Sequence, residues 1–465
     1  MKHLTLAITA LLAVVLAPFS ARAAVPPEAS VIAQQADRYL QAQAAAGFFS
    51  GTVLIVRDGE TIFAKGYGAA DAGRNIPNTT KTKFRIASIT KIFTAALTLK
   101  LEAQGRLSTA DPVCKYITPC PAAWNAITLH HLLTHTSGIP NHTVDTRFTP
   151  DPQFDIAVRS AITPQQLIAL VRDRPLQFTP GERYSYTNAG YAILGVVLEE
   201  AGGKPYEQLL DELILTPLNM KDTGVEQGGQ VPPNRAKGYV PDGADNAEAP
   251  SIDLSWVYGA GHMYSTAEDL LKWDQALYSD TILPPAARQR MWTADKGEYG
   301  YGWQVMAAKD GFPRPLVFHA GGIHGFATDY LRYGDDRVSI IILSNLMSSP
   351  MVTISRDLSA IIYGEPYRMP VVRRPVQLDA AVLAACAGDY QIAPGVVLSV
   401  KVRDNRLIVQ VAGQQPDIAI PESETRFFSR LTDTQVTFSK DAAGKVTHLT
   451  IHQGGRDIPA VKISG

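Results

Sequence analysis

The stretch Phe84-Arg85-Ile86-Ala87-Ser88-Ile89-Thr90-Lys91-Ile92-Phe93 contains the only Ser-x-x-Lys in the sequence and opens an apolar run that continues to Leu101. Apolar residues recur there at roughly helical spacing, and Gly105 is placed to end the helix. Because residues i and i+3 lie on one face of a helix, the Lys91 amine can reach the Ser88 hydroxyl. A lysine whose pKa is lowered by burial can then act as base for a serine nucleophile. The same pattern fits a serine that only caps the helix, so partners elsewhere in the chain decide between the two.

The first residues follow the pattern of a secretory signal peptide. Met1-Lys2-His3 is a short basic start, residues 4–19 are apolar, and Ala21-Arg22-Ala23 is an Ala-x-Ala cleavage site. We therefore expect residues 1–23 to be removed and the protein to be exported to the periplasm or secreted. The apolar run is short for a membrane span, and no later stretch qualifies, so we expect no span in the mature chain. A retained membrane anchor is the alternative.

The composition limits the classes of partner. The chain has 465 residues, of which 43 are basic and 44 acidic, so its formal net charge is −1. This balance creates no overall field that would attract nucleic acid, and we expect no nucleic-acid partner. Hydrophobic residues make up 46% of the chain, which suffices for a sizeable core in a large enzyme domain followed by a small one.

The three cysteines favour a short disulfide and no zinc site. Cys114 and Cys120 are close enough in sequence to form a staple in an oxidising compartment. Cys386 is then the odd thiol, and its alanine-rich surroundings favour an inert, buried role. Because the chain contains no Cys-x-x-Cys pair, we expect no zinc, and we predict neither a metal site nor a cofactor.

The early strands indicate the fold class. Residues 51–56 and 61–66 read as two strands around Asp58-Gly59, a hairpin turn signal. Two strands followed by the Ser88 helix indicate an antiparallel sheet with helices instead of a parallel βαβ series. The chain contains no Gly-x-Ser-x-Gly and no Gly-x-x-x-x-Gly-Lys-Ser/Thr, which disfavours the α/β-hydrolase arrangement and nucleotide hydrolysis.

Two histidines follow the predicted Ser88 helix in the sequence. His135 lies within Leu132-Leu133-Thr134-His135-Thr136-Ser137-Gly138, and His131 directly precedes this segment. His131 and His135 are four residues apart and could bind a metal from one helical face, but no acidic third ligand is adjacent. We interpret them as structural histidines that cap or hydrogen-bond. Residues 141–162 are rich in turn formers and are interpreted as a variable loop that could cover a site.

Two later segments could complete a catalytic site. Tyr186-Thr187-Asn188 is the only Tyr-x-Asn; beside a lysine ammonium a tyrosine can ionise at lower pH and accept a proton, and an asparagine amide can bind a substrate amide. The alternative is a surface turn in which Asn188 caps the next helix. In His319-Ala320-Gly321-Gly322, glycines could let a strand approach a ligand and supply an N–H to an oxyanion hole. The alternative there is a glycine-rich turn between strands. We interpret Thr266 and Asp269 as a helix cap.

The tail changes character after Tyr363-Gly364-Glu365-Pro366. Prolines and an Arg-Arg pair mark a linker, and residues 397–402, 406–411, 435–438 and 446–452 read as strands. We therefore place the main domain at residues 24–366 and a β-rich C-terminal domain, without a catalytic constellation, at residues 367–465.

Taken together, Ser88-x-x-Lys91, Tyr186-x-Asn188 and His319-Ala320-Gly321, in that order, resemble the class C β-lactamase and penicillin-recognising serine hydrolase family, which includes D-specific peptidases and esterases. The resemblance covers residues 49–345, and the tail around Gly388-Asp389-Tyr390 is similar to a β appendage of some members. It implies an α+β fold in which helices and a helical subdomain flank an antiparallel sheet, followed by a small all-β C-terminal domain.

The resemblance also implies roles for the site residues. Ser88 would be the acyl-accepting nucleophile, and Lys91 and Tyr186 the coupled pair that removes and returns its proton. Asn188 would orient the substrate amide. The segment His319, Gly321 and Gly322 would bind substrate, and the N–H groups of Ser88 and Gly322 would form the oxyanion hole.

One position departs from the family pattern, since His319 stands where many lactamases and carboxypeptidases have lysine. A histidine is mostly neutral at pH 7 unless acidic neighbours raise its pKa, which disfavours recognition of a substrate carboxylate and favours ester or amide substrates.

We therefore predict a secreted serine hydrolase that forms an acyl-enzyme on an ester, an amide or peptide, or a β-lactam. Its partner is a small-molecule or peptide substrate. The first alternative is a non-catalytic penicillin-binding-like protein that holds cell-wall or peptide ligands. A metal-dependent hydrolase built on His131 and His135 ranks third.

Overall fold

The computed structural model describes residues 27–143, 156–226, 229–309, 312–412, 414, 416–432, 434–453 and 456–464. The expected signal peptide, residues 1–23, and residues 144–155 of the expected variable loop lie outside the described residues. Within the described ranges, no helix has both the length and the apolar character needed to cross a membrane.

The elements up to residue 363 alternate between a large sheet and a helical region. The helices are α1 (Ala29–Ala45), α2 (Thr90–Ala103), α3 (Leu129–Leu133), α4 (Pro164–Arg172), α5 (Asn188–Gly202), α6 (Tyr206–Leu210), α7 (Ala267–Ala276), α8 (Pro285–Met291) and α9 (Met351–Tyr363). The strands are β1 (Gly51–Arg57), β2 (Glu60–Tyr67), β3 (Ala69–Asp71), β4 (Ile76–Pro77), β5 (Phe84–Arg85), β6 (Gly224–Val225), β7 (Tyr239–Asp242), β8 (Asp245–Glu248), β9 (Met263–Ser265), β10 (Gln304–Met306), β11 (Leu316–Ile323), β12 (Phe326–Tyr333) and β13 (Val338–Ser344).

The large sheet has six antiparallel strands in the order β10-β11-β12-β13-β1-β2, which confirms the predicted antiparallel sheet flanked by helices. The β1–β2 hairpin turns at Asp58 and Gly59, both with positive φ, as a two-residue turn that matches the strand twist requires. β1 pairs with β13 from Gly51 opposite Ser344 to Arg57 opposite Val338. The first strand of the region up to residue 363 therefore lies beside the last strand of its sheet, which brings the two ends of this region together.

Both faces of the sheet are buried, and each has its own core. Val53 and Ile55 pack with α1 and α9 on one face, whereas Leu54 and Val56 pack with the helical region on the other. The period of two along a strand explains why β1 and β13 read as continuous apolar runs. Helix α2 is buried on almost every side, from Thr90 to Leu101, and it forms the centre of the second core.

Hydrogen bonds of buried threonines and one disulfide tie segments of the helical region together. The Thr94 hydroxyl on α2 donates to the Gly259 carbonyl at 2.6 Å. Thr266 caps α7, because its hydroxyl accepts from the Asp269 backbone N–H, as the sequence predicts. Cys114 and Cys120 form the predicted disulfide, with Cα atoms 5.4 Å apart. Cys386 is a buried free thiol, also as predicted.

The C-terminal region is a closed barrel of eight strands. They are β14 (Gly388–Ala393), β15 (Val396–Arg403), β16 (Arg406–Val411), β17 (Asp417–Pro421), β18 (Arg426–Phe428), β19 (Thr434–Lys440), β20 (Val446–Gln453) and β21 (Arg456–Ser464). The four predicted strands fall within β15, β16, β19 and β20. One helix, α10 (Ala380–Cys386), precedes the barrel, and its Leu383 and Cys386 side chains enter the barrel core. The region is thus all-β apart from this helix.

Candidate active site

Ser88 lies in a tight turn in front of the central helix. A 3-10 turn spans Ala87–Ile89, and α2 begins at Thr90. Ala87 has a φ of 47°, in the left-handed region that a residue with a side chain adopts only when its surroundings hold it there. Ser88 itself is half-buried. The turn therefore fixes the backbone around the serine while leaving part of its side chain accessible.

Lys91 contacts Ser88 as the spacing predicts. Its Nζ lies 3.0 Å from Ser88 Oγ, 2.9 Å from Asn188 Oδ1 and 2.8 Å from the Ala260 carbonyl oxygen. The side chain is fully buried, and burial lowers the pKa of Lys91 well below its ordinary value of 10.5. A neutral amine has two N–H groups and one lone pair. When Lys91 loses a proton, the two acceptor-only oxygens can take these N–H groups, and the lone pair is left for the Ser88 hydroxyl.

Tyr186 donates from its hydroxyl to Ser88 Oγ at 3.0 Å, so the serine oxygen has a second polar partner. Its ring lies beside the lysine, with Lys91 Nζ 4.9 Å from the ring centre. We expected lysine to favour the phenolate, and this expectation is wrong in direction. Removal of water from around the buried phenol raises the pKa of Tyr186 above its ordinary value of 10.

Asn188 is the first residue of α5, but it does not cap the helix. Thr187 is the cap, since its hydroxyl accepts from the Ala189 N–H. The side chain of Asn188 accepts from Lys91 and donates through Nδ2 to Thr143 Oγ1 at 2.8 Å, while its backbone N–H donates to Asn141 Oδ1 at 3.0 Å. The residues just before position 144 thus hold this asparagine against the lysine.

Strand β11 brings its glycines against the serine turn. A Cβ atom on Gly321 would lie 2.5 Å from the Ile86 carbonyl oxygen and 2.4 Å from Thr328 Oγ1, so only glycine permits this approach. β10 pairs with β11 only as far as Phe318. Beyond it, the described residues supply no strand for the outer edge of β11, where Gly322 is exposed. An extended substrate could pair along such an edge.

His319 is buried, and both of its ring nitrogens are occupied. Nδ1 lies 2.7 Å from the Ala320 carbonyl oxygen, which can only accept, so Nδ1 carries the proton. Nε2 then accepts from the Tyr299 hydroxyl at 2.9 Å. Burial lowers the pKa of His319 to about 3, and the charge of Lys91 acts in the same direction. His319 is therefore neutral across the physiological range and offers no cation to a substrate.

The other two histidines do not share a helical face. Helix α3 ends at Leu133, so His135 lies beyond it, with a φ of 57°. Nδ1 of His131 accepts from the Thr128 N–H in a capping box, and Nδ1 of His135 accepts from the Thr187 N–H. Both are hydrogen-bonding histidines, as interpreted from the sequence. No cluster of three or more potential metal-ligating side chains occurs within the described ranges.

Sequence reasoning missed four contributors to the site: Asn141, Thr143, Ala260 and Tyr299. Asn141 and Thr143 were part of the expected variable loop, and Ala260 lies between two glycines. Tyr299 had no signal at all. Each acts through a hydrogen bond to a residue far away in the chain, and such contacts leave no local pattern.

Three features of the fold and of the surroundings of Ser88 together indicate the type of enzyme. An antiparallel sheet with a helical region, a serine and lysine three residues apart at the start of a buried helix, and a tyrosine on the serine oxygen are the features of a serine hydrolase of the β-lactamase type.

Comparison with known proteins places the chain within that class. The family model described as Beta-lactamase matches residues 36–363, and the chain belongs to this family. A second model, Domain of unknown function (DUF3471), matches residues 372–461.

Relatives of the chain match much of its length. Penicillin-binding protein 4* of Bacillus subtilis (strain 168) is 30% identical over 444 residues, covering 89% of this chain and 95% of that protein. D-alanyl-D-alanine-carboxypeptidase/endopeptidase AmpH of Escherichia coli (strain K12) is 31% identical over 301 residues, covering 60% of this chain and 75% of that protein. The octameric penicillin-binding protein homologue from Pyrococcus abyssi shares the fold, with a TM-score of 0.62, 23% identity and coverage of 92% of this chain and 99% of that one. The family and its relatives identify the chain as a serine hydrolase enzyme.

Proposed function

We propose that the enzyme hydrolyses an ester or an amide, including a peptide bond, through an acyl-enzyme on Ser88. The observation that carries the proposal is that Ser88 Oγ lies 3.0 Å from both Lys91 Nζ and the Tyr186 hydroxyl. One neighbour can then take the serine proton, and the other can donate a proton to the leaving group. Acylation requires both transfers.

The proton steps follow from the two pKa directions. Lys91, with its pKa lowered, takes the Ser88 proton as Oγ attacks the acyl carbon. Tyr186, with its pKa raised, stays a phenol and passes a proton to the leaving alkoxide or amine, and is reprotonated from the lysinium. A water then attacks the ester of Ser88, and the same pair works in reverse. Lys91 and Tyr186 therefore titrate as a pair.

The oxyanion that forms in each step needs donors. We assign this role to the backbone N–H groups of Ser88 and Gly322, because Gly321 holds β11 against the serine turn. Asn188 has one amide N–H on Thr143, which leaves the other for a substrate carbonyl.

The state of His319 narrows the substrate class. A β-lactam or a peptide with a free carboxylate next to the scissile bond would need a cation near this position, and the neutral ring paired with Tyr299 supplies none. Acyl donors without such a carboxylate are therefore favoured over β-lactams. AmpH is by its name also an endopeptidase, and an internal peptide bond has no free carboxylate beside it, which supports amide substrates as well as esters.

Export and domain boundaries are part of the same proposal. Residues 1–23 would direct export to the periplasm or out of the cell. Residues 24–366 would form the hydrolase and residues 367–465 the β domain, which agrees with the matched ranges of the two family models.

The direct test is intact-protein mass spectrometry after exposure to a fluorophosphonate, a short-chain activated ester and a penicillin. We expect one covalent adduct with the fluorophosphonate and turnover of the ester faster than that of the penicillin. Ser88→Ala should lose adduct and turnover while unfolding at the same temperature as the wild type. Ser251→Ala, at an exposed serine, is the matched control and should keep both. Activity that survives in Ser88→Ala would refute the assignment.

A further inference from the structure

His135 makes two hydrogen bonds that flank the catalytic tyrosine. Its backbone carbonyl accepts from the Ser185 N–H at 2.9 Å, and its Nδ1 accepts from the Thr187 N–H at 3.2 Å. Ser185 and Thr187 are the neighbours of Tyr186 on either side. One histidine thus fixes the peptide groups on both sides of the residue that donates to Ser88.

The ring of His135 also supports the ring of Tyr186. The two ring centres are 4.4 Å apart with a tilt of 40°, and Tyr299 also packs edge-on against the imidazole at 4.6 Å. His135 is fully buried, and burial keeps its pKa well below 6.5, so the imidazole is neutral. A neutral ring beside Lys91 adds no charge that would disturb the proton transfer.

The segment that carries His135 is itself held in place. The Gly181 N–H donates to the Thr136 carbonyl, and the Gln177 N–H donates to the Gly138 carbonyl, both at 2.8 Å. A Cβ atom on Gly138 would lie 2.3 Å from the Phe178 carbonyl oxygen, so the two segments are in close contact. His135 is therefore a rigid point from which Tyr186 can be positioned.

A buried aromatic that only fills space would not need these polar contacts. A phenylalanine could occupy the same volume, but it has no acceptor for the Thr187 N–H, and it would adopt a φ of 57° less readily than histidine or asparagine. The combination of an acceptor, a ring and a left-handed backbone points to a specific task.

We propose that His135 is a positioning residue that holds the Tyr186 hydroxyl on Ser88, through its hydrogen bond to Thr187 and its stacking on the phenol. This inference rests on the proposed function, since it assumes that Tyr186 takes part in proton transfer. His135 is fully buried, and its hydrogen bonds and ring contacts are with residues other than Ser88.

The test compares three substitutions of His135 that differ in whether they keep a hydrogen-bond acceptor at the position of Nδ1. His135→Asn accepts a left-handed backbone and places an amide oxygen near the position of Nδ1. His135→Gly accepts the backbone but removes the acceptor and the ring. His135→Gln has an amide one bond farther out, so it keeps size and polarity but not the acceptor at Nδ1; it serves in place of His135→Gly if that variant does not fold. Thermal unfolding establishes which variants are folded.

The readout is pre-steady-state acylation by the activated ester, with KM measured separately. A displacement of Tyr186 by about 1 Å should lower the acylation rate by about 100-fold in His135→Gly and His135→Gln, with KM changed by less than about 3-fold. His135→Asn should recover to within about 10-fold of the wild type. In a Tyr186→Phe background, His135→Gly should lower the acylation rate by less than about 2-fold further, since the hydroxyl that His135 positions is already absent.

Three results would overturn the inference. They are an acylation rate that is unchanged in His135→Gln or His135→Gly, a His135→Asn variant as slow as these two, and an equal loss in the wild-type and Tyr186→Phe backgrounds. Failure of the proposed function looks different, because Ser88→Ala would then still form product. Loss of activity in Ser88→Ala together with additive effects at positions 135 and 186 would refute only the role of His135.

Discussion

The Tyr299 hydroxyl donates to Nε2 of His319 at 2.9 Å, which leaves the imidazole of His319 with no free acceptor. The remaining nitrogen donates to the Ala320 carbonyl, so the ring cannot turn toward a substrate without breaking both bonds. The residue that precedes Ala320 and the two glycines is thus held in place by a tyrosine that no sequence pattern identifies, while burial keeps its pKa low.

Restoring a cation at this position should shift the substrate preference. In His319→Lys, an ammonium can pair with a carboxylate, and a hydrogen bond to a charged group contributes about 1.5–3 kcal/mol. We expect the ratio of the acylation rate by penicillin to that by a neutral ester to rise by about 10-fold or more. His319→Gln, which stays neutral, is the control and should leave the ratio near that of the wild type. An unchanged ratio in a folded His319→Lys variant would contradict the assigned role of His319.

Gly321 should tolerate no side chain. The Cβ of Gly321→Ala would meet the Ile86 carbonyl oxygen at 2.5 Å, and backbone cannot yield as a flexible side chain can. We expect about 1–3 kcal/mol less stability and a large loss of acylation, because β11 must move away from Ser88. Gly334→Ala is the control, since its Cβ would have no heavy atom within 4 Å. Kinetics of both variants, with urea unfolding, test the expectation, and a fully active Gly321→Ala would contradict it.

Asp329 should make stability depend on pH. It is buried on β12, where one oxygen accepts from the Ser355 hydroxyl at 2.6 Å, and burial raises its pKa from 3.8 to about 7. The unfolded chain loses this proton near pH 4 and the folded chain only near pH 7, so stability falls as the pH rises between these values. The full loss is about 4 kcal/mol.

Asp329→Asn cannot ionise and should remove that loss. We expect the variant and the wild type to be similarly stable near pH 4, and the variant to be more stable by several kcal/mol at pH 8. Thermal unfolding across this range measures the difference. A difference that does not grow with pH would show that Asp329 is ionised in the folded protein at neutral pH.

Arg430 should hold the barrel against the hydrolase region. It is 7% exposed and donates to the Gly47, Ala244 and Asp245 carbonyl oxygens and to Asn246 Oδ1. Arg430→Ala leaves these acceptors without their partner, so we expect a loss of about 2–4 kcal/mol in the free energy of unfolding. Arg426→Ala, at an exposed arginine of the same barrel, should change it by less than about 0.5 kcal/mol. Calorimetry of both variants checks this, and equal effects would contradict it.

Much of this architecture could be predicted locally. The Asp58-Gly59 turn, the buried run of β13 and the barrel strands have periods that a sheet imposes on neighbouring residues. The contact of Lys91 with Ser88 follows from helical spacing alone. These predictions succeeded because the cause of each feature lies within a few residues of it.

The position of Tyr186 against Ser88, 98 residues away, could be expected only from a resemblance to a known family. The supports that the sequence did not reveal are Asn141, Thr143, Ala260, Tyr299 and the double contact of His135.

Local patterns in the sequence thus predicted the β1–β2 hairpin, β13, four strands of the barrel, the central helix and the types of side chain proposed for the site. The proton affinities at the site depend on the tertiary structure, because burial lowers the pKa of Lys91 and of His319 and raises that of Tyr186. The physical reason is that a pKa depends on how much water is excluded around a group and on which charges and dipoles face it. Those neighbours come from distant parts of the chain, so no local pattern in the sequence records them.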